Sequence, residues 1–256
     1  MSRIYSKNFM HDDSQNNTRA TNSRRRFLYV WIAAVIGILF FVPAIPKLVP
    51  TNTHLPFSIN TLVLIHILSN VIIVAVFAFA GAALAPRIGF RSNLADNQVG
   101  KTVFWIVLKR QFYYGTAIGL AGAIVAYFMA PDFIAYLSIY PILSRLFGSL
   151  TEEVAIRWGI MTIIVWILLR IFQHQSETLK NRMIWSGILL SQILFAIAHI
   201  PILIHCGITN PIWSVFTIFI VSLPWGWLFW KHGLESAFIA HSSFHAFVAF
   251  FVTVKL

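Results

Sequence analysis

The stretch GSLTEEVAIRWGIMTIIVWILLRIF (residues 148–172) is apolar from Val154 to Leu169 apart from Arg157 and Thr162, yet it opens on two adjacent carboxylates. At 1.5 Å rise per residue it is long enough to cross about 30 Å of hydrocarbon as a helix. An ionisable side chain at that depth costs at least about 2.5 kcal/mol unless something compensates it. Glu152, Glu153 and Arg157 therefore need partners. Glu153 and Arg157 are four apart with the acid nearer the N terminus, the favoured order for an ion pair along a helix. Glu152 projects about 100° away and is left to face another partner or a water-filled cavity. A pair lying in the headgroups at a helix start would account for the acids but not for Arg157.

Working outward, 58% of the 256 residues are hydrophobic and only 11% are charged, too few to cover a soluble domain of this length. The chain reads as an all-α, polytopic bundle of transmembrane helices enclosing a polar cavity. Spans are expected at 27–46, 59–85, 111–130, 149–171, 183–200, 211–230 and 234–252. The segment 131–147 is apolar but short and broken by Pro141, so it reads as a re-entrant or interfacial helix, or as an eighth span. Residues 102–110 read as an interfacial helix leading into the third span.

The polar segment 1–26 is expected to be a disordered cytoplasmic tail, and 27–256 one membrane-embedded domain. With seven spans, fifteen of the nineteen Lys and Arg residues fall on the side of the N terminus; Lys47, Arg145 and Lys255 fall on the other, and Arg157 in neither. That bias marks a multi-pass protein of the cell membrane with a cytoplasmic N terminus. It also explains the formal net charge of +11 without a nucleic-acid partner. One cysteine, Cys206, excludes an internal disulfide framework and a multi-cysteine metal site.

Of nine histidines, His11, His54, His174, His205 and His232 fall in the tail, loops or turns, and His66 reads as a helix-packing residue. Three remain. His199 stands one turn after Phe195 near the end of the fifth span, and His241 and His245 share one stripe of the seventh. Imidazoles in lipid need partners or water, so three polar faces on three spans are expected to converge on one buried cavity.

These residues resemble the CPBP family of intramembrane glutamic proteases, which groups type II CAAX prenyl endopeptidases with bacteriocin-processing and bacteriocin-immunity proteins. The motif E-E-x-x-x-R appears as Glu152, Glu153 and Arg157; F-x-x-x-H as Phe195 and His199; and a histidine with a polar residue four positions on as His241 and His245, over about 148–250. The resemblance implies a helical bundle in which Glu152 is the general base, assisted by His199, activating water against a peptide carbonyl. It implies that His241 and His245 bind the oxyanion, that Arg157 holds Glu153, and that Phe195 packs against the site. It implies no cofactor, and as partners a membrane-associated, prenylated or leader peptide and the lipid bilayer. Many members carry Asn or an acid where this chain has His245.

Three other readings stand beside this one. A zinc hydrolase would use His199, His241 and His245 as ligands with Glu152 as base, although no H-E-x-x-H pattern is present. An immunity or scaffold protein would need none of these groups for chemistry. A proton-coupled transporter would use them as a relay, but such chains often show internal repeats, and none is visible here.

Overall fold

The computed structural model describes residues 2–48, 57–96, 101–138, 140–172 and 176–254, with side chains from residue 22 onward except at 48 and 101–103. The side chains of the tail up to Thr21, and His54 and His174, lie outside the described residues. No strand occurs among the described residues. Seven helical stretches are long and apolar enough to cross a membrane: Asn22–Lys47, Ile59–Ile88, Phe104–Met129, Ile142–Ile171, Glu177–His205, Pro211–His232 and Leu234–Val254. The protein is a multi-pass, all-α membrane bundle, and these stretches are the first to seventh spans below.

Three boundaries differ from the sequence reading. Segment 131–147 is not one element. Pro131–Ser138 is a short helix, and Pro141 then starts the helix Ile142–Glu153 that opens the fourth span. A proline lacks the N–H that a helix interior needs, so the break falls at Pro141. Arg145, expected in a loop, consequently lies in the fourth span and is buried. Residues 102–110 are continuous with the third span in the helix Lys101–Met129, and the helix Ser2–Phe41 runs from the polar segment into the first span.

The spans are apolar outside and small or polar inside. On the second, Leu64, Leu68, Ile72, Val76 and Phe79 form an exposed stripe, while Val74, Ala78, Gly81, Ala82 and Ala85 are buried. Lipid is as apolar as leucine and gives no hydrophobic drive for helix association, so close approach of small residues and internal hydrogen bonds hold the spans together. Trp158 of the fourth span fills the space over Gly81, where a Cβ would sit 2.3 Å from its ring, and donates its indole N–H to the Ala78 carbonyl at 3.3 Å.

The most extensive packing is between the third and seventh spans. The third presents Gly115 and Gly119, a G-x-x-x-G pair, to the helix that carries His241 and His245. A Cβ on Gly119 would lie 2.5 Å from the Ala240 carbonyl oxygen and 2.7 Å from the Ser243 Cβ. Gly119→Leu is therefore expected to push the two spans apart and to destabilise the protein by about 1–3 kcal/mol, read as a lower melting temperature in detergent. An unchanged melt would show that this close approach contributes little.

A second tie lies at the end of the bundle where the second span finishes. Glu235, buried at the start of the seventh span, accepts from the Ser92 hydroxyl at 2.6 Å, the Leu94 N–H at 3.0 Å and Gln111 Nε2 at 3.4 Å. Asp96 pairs with Arg26. Glu235 thus anchors the loop after the second span, which accounts for this carboxylate without catalysis.

Candidate active site

The fourth span is α-helical to Glu153, π-helical over Val154–Met161, and α-helical again over Thr162–Ile171. A π turn bonds i to i+5, and such turns recur at functional sites. Arg157 lies inside it and is wholly buried, while Glu153 is 1% exposed. Arg157 Nη1 pairs with Glu153 Oε1 at 3.1 Å, as the i to i+4 spacing predicts.

Two more spans complete the arginine's surroundings. Arg157 Nη2 donates to Gln192 Oε1 of the fifth span at 2.9 Å and to the Ser222 carbonyl of the sixth at 3.5 Å. Its guanidinium carbon lies 4.9 Å from the Phe195 ring centre and 5.4 Å from that of Trp225. One planar cation thus joins three spans by an ion pair, hydrogen bonds and aromatic faces, a combination suited to guanidinium. Gln192, Ser222 and Trp225 were missed from the sequence. Gln192, a primary amide in the middle of a span, was the available signal.

Glu153 has a second partner. His241 Nδ1 lies 2.9 Å from the same Oε1; a carboxylate accepts, so Nδ1 carries the hydrogen. The imidazole is stacked on Trp225 at 4.2 Å and on His245 at 5.0 Å. With Nδ1 held, Nε2 is turned toward Glu152, 3.7 Å from Oε2. The Glu152 side chain is 43% exposed, and its carboxylate has no arginine partner among the described residues.

His199 closes the fifth-span helix as its C-cap. Its Nδ1 is 2.8 Å from the Phe195 carbonyl, which only accepts, so in the neutral ring Nε2 holds the free lone pair. Phe195 packs edge-on against His199 at 4.7 Å and against His241 at 6.3 Å. His245 Nδ1 is buried without a partner. His66 is elsewhere, within reach of Asn70 on its own helix and stacked on Phe41.

Glu152, Phe195, His199, His241 and His245 line one cavity of about 930 Å³, its open mouth included. Phe41, Phe133, Leu137, Ile202, Val221 and Phe244 make it largely apolar, and Ser144, Arg145, Tyr136 and Tyr140 add polar points. Glu153 and Arg157 stand behind the wall. Among the described residues no three His, Cys, Asp or Glu side chains meet in a metal-ligating group.

This arrangement supplies a carboxylate facing the cavity, an imidazole with an available lone pair, and a second imidazole oriented by a buried acid, all lining one largely apolar cavity. Residues 134–247 match the family model described as Type II CAAX prenyl endopeptidase Rce1-like. No curated protein and no solved structure matches the chain. The matched residues hold the glutamates, the arginine and the three histidines of the cavity, so the similarity to type II CAAX prenyl endopeptidases, peptide hydrolases of the membrane, falls on the candidate site itself.

Proposed function

We propose that the protein is a metal-independent, glutamic-type intramembrane endopeptidase that hydrolyses a peptide bond of a prenylated, leader-type or otherwise membrane-associated substrate. The observation that carries this reading is the division of labour between neighbouring acids: Arg157 and His241 Nδ1 engage Glu153, while Glu152 lines the cavity with no arginine partner among the described residues.

Glu152, with the His199 lone pair beside the same cavity, takes a proton from water. The water oxygen bonds to the peptide carbonyl carbon, and the electrons of the C=O bond move to oxygen. Preorganised donors at that oxygen are the strongest catalytic device such a site has. His241 is steadied by Glu153 and, when protonated at both nitrogens, turns Nε2–H into the cavity; His245, stacked on it, adds a ring whose Nδ1 has no hydrogen-bond partner among the described residues. The tetrahedral carbon then releases the amine, which takes the proton from Glu152. The N terminus is assigned to the cytoplasm on the Lys and Arg bias.

The test uses full-length protein purified in detergent and a synthetic prenylated peptide, with mass spectrometry of both fragments. Cleavage is expected to be unchanged, within about twofold, after exhaustive chelation. Loss on chelation with rescue by zinc would overturn the metal-independent mechanism, because zinc-bound water is what a metal hydrolase activates.

A further inference from the structure

The cavity holds a cation that catalysis as proposed does not use. Arg145 lines the same wall as Glu152 and is nine-tenths buried, yet its Nε and Nη1 have no hydrogen-bond partner. No Asp or Glu pairs with it among the described residues. The hydroxyl of Ser144, 1% exposed and lining the same cavity, is also without a partner. Arginine does not shed its proton, and a buried charge without a counter-charge is costly. The region lacks an anion, and guanidinium offers a planar fork matched to a carboxylate.

The helix supplies a distance. Arg145 and Glu152 are seven residues apart, nearly two full turns, so both lie on one face about 10 Å apart along the axis. An extended peptide covers about 3.3–3.6 Å per residue. A carboxylate on Arg145 therefore lies about three residues from a scissile bond at Glu152. A terminal carboxylate is on the leaving-group side and is present whatever the side chains. It carries one charge, matching one guanidinium, and the cavity's Phe133, Leu137 and Ile202 suit apolar side chains better than a lipid headgroup.

We infer that Arg145, with Ser144, is the specificity-determining subsite that receives the substrate's free C-terminal carboxylate and so sets how far from the end the chain is cut. This rests on the endopeptidase reading above.

The experiment compares peptides identical except for a C-terminal acid or a C-terminal carboxamide, with wild type and Arg145→Met. Wild type is expected to prefer the acid by about 10- to 100-fold in kcat/KM, the range of a charge-assisted hydrogen bond. Arg145→Met should lose that preference through a fall in kcat/KM for the acid, leaving acid and amide cut at similar rates, and its melting temperature should be equal or higher, since an uncompensated charge has gone. Arg145→Lys should restore part of the preference. Equal use of acid and amide by wild type would overturn the inference, as would preference retained in Arg145→Met. Sensitivity that follows an internal Asp or anionic lipid instead would overturn it too. Binding of a short peptide acid and its amide to Glu152→Gln protein, by calorimetry, separates the two proposals. Acid preference there without any cleavage by wild type would leave the subsite standing and remove the endopeptidase. Binding without preference would remove the subsite.

Discussion

Glu152→Gln is expected to fold normally and to lose peptide hydrolysis by about 10²–10⁴-fold in kcat, the range that a positioned general base contributes. Glutamine keeps the shape and removes the acceptor of the water proton. Stability should be nearly untouched, because Glu152 faces the cavity and, among the described residues, its one ion-pair contact is His241, at 3.7 Å. Glu153→Gln makes the contrast. It removes the ion pair to Arg157 and the carboxylate that fixes His241 Nδ1, so both melting temperature and kcat should fall. Matched melts and single-turnover rates on one peptide check both. If Glu152→Gln kept more than about a tenth of the wild-type rate, general-base catalysis by this residue would be wrong.

The difference between these two neighbouring acids was partly visible in the sequence. Helical spacing assigns Glu153 to Arg157 and leaves Glu152 over, and the coordinates agree. The seven spans were visible because a 20-residue apolar run has few other readings. What remained hidden depended on contacts between spans. Nothing local shows that His241 Nδ1 meets Glu153, since 88 residues separate them. The i to i+4 rule says nothing about the π turn at Val154–Met161, where Trp158 packs over Gly81 and Gly159 lies against Phe77 of the second span. Arg145 was misplaced for a related reason. A basic residue four positions after a proline resembles a loop cation, and only the cavity makes its burial visible. The Gly115 and Gly119 pair was legible as a pattern but not as the seat of the histidine-bearing helix.

Arg157→Met should destabilise the protein by about 3–5 kcal/mol, the range for removing one partner of a buried ion pair. Glu153 would remain as a nearly inaccessible carboxylate with His241 as its remaining polar partner, while Gln192 Oε1 would lose its donor and Phe195 and Trp225 the cation between them. Arg157→Lys should recover only part of this, since an ammonium is a compact point charge without the planar fork that serves Glu153, Gln192 and the aromatic faces together. The informative comparison is the double variant Glu153→Gln, Arg157→Met. With both charges gone no uncompensated ion is buried, so the double variant should be more stable than Arg157→Met alone. Its kcat should nevertheless stay low, because His241 has lost the carboxylate that fixes its Nδ1. Chemical unfolding in detergent and peptide cleavage, measured on all three variants, separate the two effects. A double variant no more stable than Arg157→Met would mean that shape between the rings, rather than charge balance around Glu153, is what Arg157 contributes to the fold.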